Sequence, residues 1–303
     1  MSKFNINKIA QLTGHNASIF ALEQEPDAQY VLSGAGDGWV VRWNLEEPDM
    51  GRVIAKVETQ IFSLLNLPEL SKVVVGNMNG GVHWVDLDNP DHTKNIAHHE
   101  KGVFGIQRIG DHVLTVGGGG KLTRWSLAEA QSLESLHLSN QSLRCIDYSP
   151  RRNEIAIGSS DNNIYLLDAD SLDIKCTFEQ AHDNSVFTVK YSPDSSYLLS
   201  GARDAHLKAW DLAVYKETFS QPAHWFTINK IVFHPEGKWF ATGSRDKTIK
   251  IWDAENFELL KVIETMRDKG HINSVNCLLW SEHNDYLLSC GDDRSIIAWE
   301  VGA

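Results

Sequence analysis

Residues 223–253 read AHWFTINKIVFHPEGKWFATGSRDKTIKIWD, and the distances between four of them decide the fold. From His224 it is 18 residues to Thr242, four more to Asp246 and six more to Trp252. The same 18, 4, 6 spacing links His15, Ser33, Asp37 and Trp43, then His182, Ser200, Asp204 and Trp210, then His271, Ser289, Asp293 and Trp299. Four repetitions of three independent spacings mark a duplicated module. Within each module, short runs rich in Val, Ile, Leu and aromatics alternate with turn residues at roughly 8–12-residue intervals, the pattern of a meandering antiparallel sheet. Ser192-Pro193-Asp194-Ser195 is a typical hairpin, with proline where the turn needs a fixed φ, and Ser149-Pro150 and His234-Pro235 repeat it. Nothing reads as a long helix.

Three further copies stay in register although their signature residues have drifted. At the tryptophan position the series runs Trp43, Val85, Trp125, Leu167, Trp210, Trp252, Trp299, with steps of 42, 40, 42, 43, 42 and 47 residues. A fixed period in the low forties, with a late tryptophan followed by an acid, is the mark of a β-propeller of four-stranded blades. The sequence resembles the WD-repeat β-propeller family through Gly14-His15 and Gly270-His271, Trp210-Asp211 and Trp252-Asp253, with Trp299-Glu300 as a near match. The resemblance covers essentially the whole chain. It implies an all-β, seven-bladed β-propeller of four-stranded antiparallel blades, and residues 1–303 are expected to form one such domain with no room for a second.

The ends of the chain bear on how the array closes. After Trp299 only Glu300 to Ala303 remain, too few for a fourth strand, while Phe4 to Leu12, FNINKIAQL, precede the first histidine without a unit of their own. Residues 4–12 are therefore expected to supply the outer strand of the last blade, whose other three strands come from residues 272–301, and so to close the ring. That pairing also removes open sheet edges that invite aggregation.

Charge and composition narrow the function. A net charge of −12 and a pI near 5.5 argue against a nucleic-acid binder, which needs a basic footprint. Residues 1–12 lack the apolar core of a signal peptide, and no run of 18 apolar residues occurs, so a cytoplasmic protein without membrane contact is expected. Cys145, Cys176, Cys277 and Cys290 show no CxxC pairing and fall in strand-like segments, which reads as buried thiols in a reducing compartment. Gly117-Gly118-Gly119-Gly120-Lys121 resembles a phosphate loop, but Leu122 follows where Ser or Thr is needed, and a strand follows where a helix is needed. His98, His99 and His112 lack a carboxylate or cysteine to complete a metal set. Neither metal nor cofactor is expected.

A recurring Ser, His and Asp invites a hydrolase reading. The family resemblance implies a different role: the indole bonds the hydroxyl, the hydroxyl the imidazole, and the imidazole the turn carboxylate, as a structural network within each blade. One activated nucleophile at one pocket does not require four identical copies, so His15, Ser33, Asp37, Trp43 and their equivalents read as staples. The second unit has Val57, Val75, Asn79 and Val85 at the four positions, with Trp84 displaced by one. The third keeps His99, Thr115 and Trp125 but has Gly119 in place of the acid, and the fourth keeps only Asp161. These blades are expected to rely on apolar packing and to open first.

Binding residues are sought on the face that, in this family, carries the loops entering the inner strands. Most residues after the histidine position are small or polar: Asn16, Ala17, Asn140, Gln141, Asp183, Asn184 and Asn273. Trp225 and Phe226 break that pattern directly after His224, and Arg203 and Arg245 precede the turn acids of flanking units. Aromatics beside arginines have the composition of a binding hot spot for an acidic or carboxylate-bearing partner. The interval from the tryptophan position to the next histidine position is 14 or 15 residues in five cases but 19 from Trp252 to His271, where ETMRDK, residues 264–269, adds Arg267. Met78, before Asn79, reads either as an adaptable apolar contact of that surface or as a plain turn residue. The expected function is a non-enzymatic protein-interaction scaffold, as a monomeric propeller or a subunit of a larger assembly, that binds a protein or peptide through the top face. The alternative is a hydrolase or lyase at the mouth of the central channel. It would need a titratable cluster that breaks the repeat, and none is visible.

Overall fold

The computed structural model describes residues 4–302, which form seven four-stranded antiparallel sheets. Six are sequential meanders, spanning residues 19–56, 61–97, 103–137, 143–178, 186–222 and 228–263. The seventh takes three strands from the end of the chain, Val275–Trp280, Leu287–Gly291 and Ser295–Gly302, and its fourth from the beginning, Asn5–Thr13. The expected outer strand is there, displaced by one residue. It runs antiparallel from Asn5 opposite Gly302 to Thr13 opposite Ser295, with a bulge between Lys8 and Ala10. Leu12 is wholly buried, Phe4 meets Trp239 edge to face at 5.1 Å, and Asn7 donates to Glu300 at 2.9 Å.

Contacts divide the chain into two compact units, one holding the residues up to Ile61 and from Asn229 onward, the other Phe62–Ile228. Within each unit the apolar core lies between consecutive sheets. In the first, Leu12, Ile19, Val31, Trp43, Leu288 and Ile296 form one such layer. In the second, Ile164, Leu166, Phe178, Val186, Leu198 and Trp210 form another. Strand alternation produces this arrangement, because side chains of period two from facing sheets interdigitate. Among the described residues the helical segments are single turns, of which Thr265–Asp268 is the inserted stretch noted in the sequence.

The turn after each acid position has one recurring feature. The next residue is left-handed in every sheet: Gly38 (φ +76°), Gly80 (+85°), Gly120 (+70°), Asn162 (+74°), Ala205 (+65°), Lys247 (+76°) and Arg294 (+65°). At Gly120 a Cβ would lie 1.6 Å from the Ser139 carbonyl oxygen, so glycine is obligatory there on two counts. Where a residue other than glycine stands there, the acid offsets the strain by accepting from the N–H two residues on, as Asp204 does from His206 at 2.9 Å and Asp246 from Thr248 at 3.0 Å.

Candidate partner-binding surface

The four recurring residue types converge as a proton-ordered chain. In the first sheet Trp43 Nε1–H donates to Ser33 Oγ at 2.8 Å, Ser33 Oγ lies 2.8 Å from His15 Nε2, and His15 Nδ1 lies 3.0 Å from Asp37. The fifth repeats it with Trp210–Ser200 at 2.9 Å, Ser200–His182 at 2.8 Å and His182–Asp204 at 3.0 Å. In the seventh, Trp299–Ser289, Ser289–His271 and His271–Asp293 are each 2.8 Å. In the sixth, Trp252 donates to Thr242 at 2.9 Å, and Asp246 accepts from Thr248. The carboxylate oxygen nearest the imidazole also accepts the backbone N–H after the histidine, from Asn16, Asp183 and Ile272. That bond ties the entry loop to the turn. Burial alone would raise Asp204, but the His182 hydrogen bond and charge, with the two backbone N–H groups, hold it down to about 2. Ser33, Ser200 and Ser289 have no exposed surface, so their hydroxyls cannot meet a substrate.

The drifted sheets do not rely on apolar packing alone, contrary to expectation. In the second, His83 lies between Asn77, 2.8 Å from Nε2, and Asn95, 2.7 Å from Nδ1. In the fourth, Ser139 occupies the histidine position and bonds Asp161 directly, joined by the Tyr165 hydroxyl at 2.7 Å. Short polar residues at new positions rebuild the tie, and four-residue spacing could not reveal them. The third sheet is incomplete. His99 Nε2 lies 2.8 Å from Thr115 Oγ1 and Trp125 donates to the same oxygen at 2.9 Å, but with Gly119 at the acid position His99 Nδ1 is buried without a partner among the described residues. Burial, then the nearby His98 and Lys121 charges, pushes His99 down to about 4 from an ordinary 6.5.

A neutral histidine in the fold and an ordinary one in the unfolded chain link stability to pH. The fold is fully favoured above pH 6.5, loses stability as pH falls from there, and by about pH 4 has lost about 3 kcal/mol on this account. His99→Gln should therefore flatten the stability profile by that amount relative to the parent when denaturant melts at pH 7 and pH 4 are compared. Parallel profiles for the two proteins would remove His99 as the cause.

The binding candidates fall in both units. In the unit 62–228, Trp225 is 86% and Phe226 59% exposed, on the connection between Lys216–Pro222 and Ile228–Phe233. Both side chains stand outward in solvent. Arg203 is exposed, with its N–H on Ser185 O and no ion pair among the described residues. Met78 is 48% exposed. In the other unit Arg245 is exposed, whereas Arg267 is held by Asp268 and Glu264, so its charge is met within its own turn. Met266, 91% exposed, is the conspicuous group of that insertion, and sequence reasoning passed over it in favour of Arg267. Cys277 and Cys290 are buried as expected, while Cys145 and Cys176 are only half-buried.

Comparison with known proteins gives the same picture of the fold. The family model described as WD domain, G-beta repeat, matches residues 6–44, 174–211, 215–253 and 260–300, the segments that carry the four-residue signature. The WD40 β-propeller domain of Doa1 superposes with a TM-score of 0.84 over 97% of both chains at 20% identity. The fold is thus a seven-bladed propeller of four-stranded antiparallel sheets. Among sequence relatives, WD repeat-containing protein 1 of Gallus gallus is 25% identical over 52% of this chain. Protein HIRA of Dictyostelium discoideum is 30% identical over 53%, and Transcription initiation factor TFIID subunit 5 of Caenorhabditis elegans 25% over 67%. The matches span 26%, 12% and 25% of those proteins, so the chain covers only a minor part of each.

Proposed function

This chain belongs to the WD-domain, G-beta repeat family, and we propose that it is a non-enzymatic scaffold that docks a protein or peptide on the surface carrying Trp225, Phe226 and Arg203. The observation that carries the proposal is the exposure of two consecutive large aromatics, 86% and 59%, at a position where most other repeats have small or polar residues and only the seventh has a single large apolar one, Ile272. Trp and Arg dominate the energetics of protein interfaces, and a Trp left in water contributes little unless something covers it. An arginine without a carboxylate beside them favours an acidic partner, in a protein whose own net charge of −12 disfavours nucleic acid. We place its work in the cytoplasm, in keeping with its four free thiols.

Affinity capture from a native lysate tests this reading directly. The wild type should retain specific partners, and Trp225→Ala/Phe226→Ala should lose them at least about tenfold while melting at the same temperature, since neither side chain is in the core. Equal capture by both proteins would place the docking surface elsewhere.

A further inference from the structure

In five of the sheets the inner strand opens with a bulge, and the bulged residue is turned out of the ladder. In the unit 62–228 the register breaks fall between Val103 and Gly105, Leu143 and Cys145, and Val186 and Thr188, around Phe104, Arg144 and Phe187. Bulges re-aim side chains, and here three successive sheets aim theirs at one another. The Arg144 Cζ lies 4.6 Å from the centre of the Phe104 ring and 5.4 Å from that of Phe187, and Phe62 extends the aromatic wall at 5.5 Å from Phe104. The Arg144 Nε–H donates to Ser160 Oγ at 2.7 Å. The guanidinium is thereby fixed between two ring faces and one hydroxyl.

What it lacks is a counter-ion. Arg42, Arg108, Arg124 and Arg152 each hold a glutamate. Arg144 is half-buried, yet among the described residues no carboxylate pairs with it or with Arg203. Burial lowers the Arg144 pKa, and the Arg203 charge lowers it further. Keeping a partly desolvated cation unpaired costs free energy that an acidic residue of this protein could have offset, in a chain with 40 such residues against 28 basic ones.

We propose that Arg144, clamped between Phe104 and Phe187 and seconded by Arg203, is a binding site for the carboxylate of an acidic side chain on a partner peptide. A guanidinium whose faces are covered by rings still presents its N–H edge, which fits a planar carboxylate bidentately. The phenylalanine walls exclude water and strengthen that pair, and they favour a peptide with an apolar residue beside its acid. The site deepens the scaffold function proposed above and rests on it, but the two can fail separately. Trp225 and Phe226 can be dispensable while the carboxylate preference stands, and the reverse.

The test uses the full chain and fluorescein-labelled heptapeptide pools with a central Glu, Gln or phosphoserine between randomised positions, read by fluorescence anisotropy. Wild type should bind the Glu pool about tenfold tighter than the Gln pool, the discrimination expected of a charge-assisted pair worth about 1.4 kcal/mol. Arg144→Gln should abolish that preference, and Arg144→Lys should restore little of it, because an ammonium lacks the fork. Arg203→Gln, an exposed position that leaves folding untouched, should weaken the Glu pool more than the Gln pool. Equal binding of Glu and Gln pools by wild type, an unaltered Glu preference in both Arg144→Gln and Arg203→Gln, or no binding of any pool overturns the proposal. Tighter binding of the phosphoserine pool than of the Glu pool overturns the carboxylate assignment.

Discussion

Deleting residues 4–12 should lower the melting temperature by roughly 10 °C or more and make the protein prone to aggregate, although no recurring signature residue is removed. The strand it destroys, Asn5–Thr13, is the fourth strand of the seventh sheet, and its partner Ser295–Gly302 would become an exposed edge. Leu12 alone is wholly buried among Ile19, Trp43, Leu288 and Ile296, and its loss as Leu12→Ala should cost about 2–5 kcal/mol. The deletion adds the loss of the backbone ladder and of the Phe4–Trp239 contact. Calorimetry and light scattering of the truncated chain measure both effects. An unchanged melting temperature with unchanged solubility would mean that the N-terminal strand is an ornament on a sheet already complete.

Trp210→Ala should be nearly as damaging, at about 3–5 kcal/mol, because the indole both fills the core and starts the hydrogen-bond chain. It stacks on Phe178 with ring centres 4.4 Å apart and planes at 17°, and its N–H donates to Ser200. Ser200→Ala separates the two contributions. It keeps the stack but strands the buried indole N–H and the buried His182 Nε2, for about 1–3 kcal/mol per orphaned group. A staple further predicts strong coupling between Ser200→Ala and His182→Ala in a double-mutant cycle followed by urea unfolding. Additive losses would mean that the chain of bonds is a geometric coincidence of the repeat. The fourth sheet shows how the tie is replaced, since Leu167 takes the tryptophan position and Ser139 and Tyr165 both bond Asp161.

The fold was legible because its determinants are local and repeated. Spacing between His182, Ser200, Asp204 and Trp210 encodes one hydrogen-bond chain, and copying it along the chain turns a weak pattern into a strong one. The odd strand at residues 4–12 was also visible, since a four-stranded repeat leaves a remainder at each end. The replacement networks were not, because Asn77–His83–Asn95 does not follow the 18, 4, 6 spacing that the signature residues repeat. Arg144 was missed for a different reason. It follows Leu143 as Phe104 follows Val103 and Phe187 follows Val186, but only the bulges show that these residues face one another. Trp225 and Phe226 stood out by size in the sequence, whereas their outward orientation needed coordinates.

Amide hydrogen–deuterium exchange on the protein alone and with its captured partner tests the binding surface most directly. Docking through Trp225, Phe226 and Arg203 predicts slowed exchange in peptides covering residues 203–206 and 223–228. Slowed exchange confined to other segments, with these two stretches exchanging as in the free protein, would contradict it.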